Sequence, residues 1–151
     1  MDGALESKWL ASLKLDAIGM GVDGSDRWNK QDILGRTPLH VVCQSNDNWR
    51  LGDLVKQMLD AGADPGLTTI WGHTNLHYAA TKGFVEVCMV LLERKSTFNI
   101  GAEDERRETA LDYAVINKHQ DIVDLLSSHY EEAGLNEELE KARRVWEHVK
   151  K

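Results

Sequence analysis

The chain has 151 residues, 42% of them hydrophobic and 28% charged, which suits one folded globular domain and excludes a low-complexity or disordered chain. Its formal net charge of −7, from 25 acidic against 18 basic residues, argues against a nucleic-acid partner, since affinity for a phosphate backbone rests on lysine and arginine displacing counterions. The two cysteines, Cys43 and Cys88, stand in no metal-ligand or CxxC spacing, so neither a disulfide framework nor a metal site is expected.

The first segment, residues 4–31, carries Leu10, Leu13, Ala17 and Ile18 at helical spacing. Charges at Asp2, Glu6, Lys8, Lys14 and Asp16 leave no apolar leader, and the longest apolar run, Val87 to Leu92, is too short to span a bilayer. A cytoplasmic or nuclear protein without a membrane partner is expected. Gly19-Met20-Gly21-Val22-Asp23-Gly24 meets the GxGxxG pattern of dinucleotide sites. A helical stripe precedes it and polar Ser25-Asp26-Arg27 follows, so it lacks the strand-turn-helix setting and reads as a turn.

Residues 32–68 run through Gly35, Thr37-Pro38-Leu39-His40 and Val41-Val42-Cys43 to a second apolar stripe of Leu54, Val55, Met58 and Leu59. Residues 69–103 repeat that order. Gly72 suits a turn of positive φ, Thr74 caps a helix bearing Leu76, Ala79 and Ala80, and Gly83 ends it. Val85, Val87, Cys88, Leu91 and Leu92 then form the buried face of a second helix. Residues 104–133 place Leu111, Ala114, Val115, Ile122, Val123, Leu125 and Leu126 on two further apolar faces. In residues 134–151, Asn136 suits an N-cap, Glu137 and Glu138 the first turn, and Lys150 and Lys151 the close of a last helix. Its apolar face of Leu135, Leu139, Ala142, Val145, Trp146 and Val149 predicts a terminal cap.

The beat is set by Thr37-Pro38-Leu39-His40, Thr74-Asn75-Leu76-His77 and Thr109-Ala110-Leu111-Asp112, whose threonines stand 37 and then 35 residues apart. These strings match T-P-L-H-x-A, and the chain resembles an ankyrin repeat protein over Leu34 to Tyr130. The resemblance implies an all-α solenoid of about three recognisable repeats, with a degenerate repeat before them and a capping helix after. Arg107 and Lys118 depart from it, standing where the family has a turn glycine and an inter-helix glycine. Between His40 and Leu59 lie 19 positions where His77 to Leu92 spans 15, so four extra residues fall within Gln44 to Gly52, a polar loop carrying Trp49.

The same resemblance implies a non-enzymatic module that binds another protein or peptide, without cofactor or catalytic residues, and stands alone as a monomer. A subunit permanently buried in a larger complex is the alternative. Positions carried over to finger tips and first helices are Ile33, Leu34, Arg36, Gln44 and Ser45; Ile70, Trp71, His73, Thr81 and Lys82; and Glu105, Arg106, Glu108, Ile116 and Asn117, with Trp49 added from the insertion. Physical reasoning favours the same stretch, since Ile33-Leu34 and Ile70-Trp71 are bulky apolar pairs in turns, and tryptophan and arginine are enriched among binding hot spots.

Other sharp features have plainer readings. His40 and His77 are expected to hold loops in register, and Cys43 and Cys88 to be small buried apolar groups. Asn99 reads as a turn residue rather than a modification site. Ser127-Ser128-His129 lacks the setting of a nucleophile elbow, and the basic Lys141, Arg143 and Arg144 are diluted by Glu137, Glu138, Glu140 and Glu147 into a solvated face.

Overall fold

The computed structural model describes residues 28–44 and 51–149. The amphipathic segment before Asp23, the Gly19–Gly24 string, Ser45, Trp49, Lys150 and Lys151 lie outside the described residues. Seven α-helices occur among those described: α1 (Pro38–Cys43), α2 (Leu51–Asp60), α3 (Asn75–Lys82), α4 (Val85–Leu92), α5 (Ala110–Ile116), α6 (Gln120–Ala133) and α7 (Asn136–Val149).

Each first helix starts on a threonine whose hydroxyl accepts the N–H three residues on: Thr37 from His40, Thr74 from His77, Thr109 from Asp112. The third residue closes the box, its side chain accepting the threonine's own N–H at 3.0, 2.9 and 2.9 Å. Two backbone donors that a helix start leaves unpaired are thus satisfied at each repeat. Gly83, at φ +80, ends α3 in the left-handed conformation, and Lys118 does the same work between α5 and α6 at φ +61.

The helices stack in two rows. α1, α3, α5 and α7 lie side by side as the inner row, and α2, α4 and α6 as the outer row. Between the rows runs one apolar core, with Leu39, Val42, Leu76, Ala79, Leu111 and Ala114 from the inner helices and Val55, Met58, Val87, Leu91, Ile122 and Leu126 from the outer. Cys43 and Cys88 sit within it as free thiols, and burial raises both pKa values, that of Cys88 to about 12. They are inert at neutral pH. Trp28, nine residues before Thr37, is 5% exposed and belongs to this core.

Two boundaries differ from the sequence reading. Leu51 and Gly52, expected in the polar loop, are already helical and buried in α2, where a Cβ on Gly52 would meet the Glu86 Cβ at 3.2 Å. Asn136 is the first residue of α7 rather than its cap, and the first helical bond runs from the Leu139 N–H to the Leu135 carbonyl at 3.2 Å. α7 packs on α5 and α6, burying Leu139 and Ala142, with Val145, Trp146 and Val149 partly covered. It occupies the place the next inner helix would take.

Candidate protein-binding face

Each repeat is preceded by a finger built on one short polar residue. Asp32 Oδ1 accepts the N–H groups of Leu34 and Arg36 at 3.0 and 2.8 Å. Thr69 Oγ1 takes those of Trp71 and His73 at 3.3 and 3.2 Å, and Asp104 Oδ1 those of Arg106 and Glu108, both at 2.9 Å. Every finger then turns through a positive φ at Gly35 (+77), Gly72 (+80) or Arg107 (+61). A Cβ on Gly35 would come within 2.9 Å of the Ile70 amide nitrogen, so the close approach of neighbouring fingers also requires glycine there. Arg107 meets the same backbone demand as the two glycines, at the steric cost of its Cβ.

Neighbouring fingers are joined by single backbone bonds, from the Ile70 N–H to the Leu34 carbonyl and from the Glu105 N–H to the Trp71 carbonyl, each 3.0 Å. The signature histidines add a second link. His40 Nε2–H donates to the His73 carbonyl at 3.1 Å, and His77 Nε2–H to the Glu108 carbonyl at 2.9 Å. Both rings are buried, and burial lowers their pKa values, that of His40 to about 4, so they stay neutral with the proton on Nε2. The last repeat has Asp112 in this position, and it accepts Lys141 Nζ of α7 at 3.1 Å while the same ammonium donates to the Arg107 carbonyl at 2.7 Å.

With main chains tied down, the fingers leave their apolar tips outside. Ile33 is 94% and Ile70 60% exposed, while Leu34 and Trp71 are half-buried. At the far end of the first helices, Ile116 is 46% exposed and Asn117 and Lys82 are exposed. Thr81 is half-buried, its hydroxyl donating to the His77 carbonyl and its own carbonyl accepting His119 Nε2–H at 3.0 Å. Gln44 is the C-cap of α1, and Arg36 is paired with Asp32 at 2.8 Å. Glu105 and Arg106 are exposed on the third finger, with Glu108 half-buried at its base.

Between the second and third of these fingers lies an open cleft of about 380 Å³, lined by Trp71, His73, Tyr78, Asp104, Glu105, Arg106 and Tyr113. His73 is its hub. The imidazole stands edge-on to Tyr78 at 5.4 Å and to Tyr113 at 5.9 Å between centroids, with Trp71 at 6.1 Å. His73 Nε2–H donates to Asp104 Oδ2 at 3.2 Å, and the Tyr113 hydroxyl makes a close hydrogen bond to the same oxygen. Burial opposes ionisation of Asp104, yet the Tyr113 hydroxyl and the N–H groups of Glu108 and Arg106 outweigh it and hold its pKa below the usual carboxylate value. Burial and the adjacent carboxylate push Tyr113 up, keeping its proton on the phenol.

Trp71, His73, Glu105 and Arg106 are the expected binding positions among these, with Asp104 expected only as one of the flanking charges up to Glu108; Tyr78 and Tyr113 are not among the expected positions. The usable signal was register. Tyr78 and Tyr113 each follow the box-closing residue of their repeat, whereas the preceding repeat has Val41 at that position. Asn99 makes the turn expected of it, its Oδ1 accepting the Gly101 N–H at 3.0 Å. Among the described residues no group of three or more His, Cys, Asp or Glu is arranged to hold a metal ion, and no helix is long and apolar enough to cross a membrane.

The family model of ankyrin repeats in three copies matches residues 46–137. Similar proteins include the transient receptor potential channel pyrexia of Drosophila melanogaster, 40% identical over 88 residues, or 58% of this chain and 8% of that one. The nuclear factor NF-kappa-B p105 subunit of Rattus norvegicus is 29% identical over 110 residues, 72% of this chain and 11% of its own. Potassium channel AKT2/3 of Arabidopsis thaliana is 37% identical over 73 residues, 48% of this chain and 9% of the channel. The chain thus spans only 8% to 11% of the length of these relatives. Capping boxes, paired helices, stacked fingers and the matched repeats agree: the chain belongs to the ankyrin repeat family, whose repeats serve generally as protein–protein interaction modules.

Proposed function

We propose that this chain is a non-enzymatic interaction module, acting as an adaptor, inhibitor or assembly subunit, that binds a partner protein or extended peptide across its finger tips and the concave face of its first helices. Residues 1–151 act as one stack, which residues 134–151 close. The reading is carried by Ile33 and Ile70, large apolar side chains exposed at successive finger tips, while the backbones of Ile70 and of Leu34 beside Ile33 bond each other across the stack. Exposed apolar groups aligned on a rigid frame bind at low entropic cost, because little has to be ordered on contact. Trp71 beside them is the anchor, half-buried and facing the cleft.

A photo-crosslinking residue at position 70, compared with one at Asp124 on the outer helix α6, tests this face. Crosslinks to a discrete partner should form from position 70 and not from 124, and Trp71→Ala should abolish them. That substitution is expected to weaken binding by about 2 kcal/mol or more and to change stability by less than about 1 kcal/mol. Equal crosslinking from both positions, or unfolding of Trp71→Ala, overturns the assignment.

A further inference from the structure

Two of the three fingers are built on a carboxylate, Asp32 and Asp104, and the two are balanced differently. Asp32 Oδ2 is met by the guanidinium of Arg36, four residues on. Four residues after Asp104 stands Glu108, which brings no positive charge. The donors around Asp104 are two backbone N–H groups, the Tyr113 phenol and the His73 imidazole. None carries a fixed positive charge. A buried, ionised carboxylate therefore lies at the floor of the cleft, with the Glu105 carboxylate on its rim and Arg106 as the single cation of the lining.

Around that floor stand Trp71, Tyr78 and Tyr113, whose electron-rich faces attract cations, the more strongly where water is displaced. A buried carboxylate with no lysine or arginine among its partners and with aromatic rings around it complements a positively charged group with an apolar stem. We propose that this cleft receives a lysine or arginine side chain from the partner protein. The inference rests on the binding-face reading above and adds the chemistry of the residue that enters. Specificity lies in the third finger, since the second has threonine at the carboxylate position and the first neutralises its own aspartate.

The test titrates the isotope-labelled 151-residue chain with acetyl-Gly-Lys-Gly-amide, its arginine and norleucine counterparts and its glutamate counterpart, following the Trp71 indole N–H by NMR. The lysine or arginine peptide should shift that resonance saturably, and norleucine, with the stem but no charge, should bind at least about tenfold more weakly. Asp104→Asn keeps the Oδ1 acceptor of the finger and removes the charge, and should weaken the cationic peptides by about tenfold. Tyr78→Leu, which takes away a ring wall and leaves the backbone bonds of both fingers in place, should weaken them too and serves if Asp104→Asn does not fold. Equal binding of norleucine, preference for glutamate through Arg106, or no shift with any peptide overturns the proposal. If the peptides fail while crosslinks from position 70 persist, the face stands and only the cationic anchor is lost; if both fail, the face itself is wrong.

Discussion

Asn75 stands where the repeat pattern has proline, and it is the residue least at ease in the fold. Its side chain is fully buried, Nδ2 reaches the Pro65 carbonyl only at 3.4 Å, and Oδ1 has no hydrogen-bond partner. Thr74 before it has φ −90 and ψ 171, nearly the −92 and 168 of Thr37 before Pro38, and that extended geometry is what a residue preceding proline adopts. Asn75→Pro should therefore raise stability by about 1–2 kcal/mol, by removing a stranded acceptor and restricting the unfolded chain. Urea denaturation of the two proteins checks it, and a lower midpoint for the variant would mean that the Asn75 amide, through its bond to the Pro65 carbonyl, contributes more than its unpaired oxygen costs. Tyr78 and Tyr113 carry the lesson of what one residue reveals. Helical spacing marks both as inner-row positions, but the rings meet only through His73, 5 and 40 residues away, and such a meeting leaves no local pattern in the chain. Trp28 is the opposite case, isolated in a polar stretch of sequence yet packed in the core by contacts that are distant along the chain.

At the level of the elements, the links between neighbouring repeats depend on neutral imidazoles. Folding lowers the pKa of His40 from an ordinary 6.5 to about 4 by burial, and lowers that of His77 for the same reason. Between those two pH values the unfolded chain binds a proton that the folded chain refuses. The histidine contribution to stability should accordingly be complete above about pH 6.5, fall as pH drops towards 4 and level off below, where the depressed pKa of Asp104 continues the loss, with His40 accounting for at most roughly 3 kcal/mol. Denaturant titrations at a series of pH values measure the slope, and His40→Gln, which keeps a neutral donor, should flatten it. A slope unchanged by that variant would place the acid sensitivity elsewhere. The helices themselves were legible because threonine caps, apolar spacing and glycine stops all pointed to the same boundaries. Where the reading slipped, at the start of α2 and at Asn136, polar composition was taken for loop or cap, although buried Leu51 and Gly52 show that packing against α4 sets the boundary.

Across the described stack, α7 extends the inner row beside α5, and Lys141 fastens it. The Asp112 side chain is almost fully buried and the Lys141 side chain about half exposed, so losing the ammonium strands a carboxylate more than it breaks a surface pair. Lys141→Met should cost about 1–2 kcal/mol, and Asp112→Asn in the same chain should recover part of it. A double-mutant cycle by thermal denaturation measures the coupling; strictly additive losses would mean that Leu139, Ala142 and Trp146 hold the helix without help from the pair. The outer ion pairs Arg94–Asp60 and Lys95–Glu132 also bridge successive repeats, but they are exposed and contribute little.

The exchange of histidine for aspartate at position 112 gives the stack a direction of growth. Each imidazole hands its proton forward to a carbonyl of the next finger, so a duplicate of residues 69–103 placed directly after the original would find a donor waiting behind it and a finger ahead. Placed after residue 133, the same duplicate would meet a carboxylate that has no proton to give, and would displace the Lys141 ammonium that now answers it. A repeat added upstream of Thr109 keeps this chain of donors unbroken, whereas one added between residues 133 and 134 gives up the Asp112–Lys141 pair.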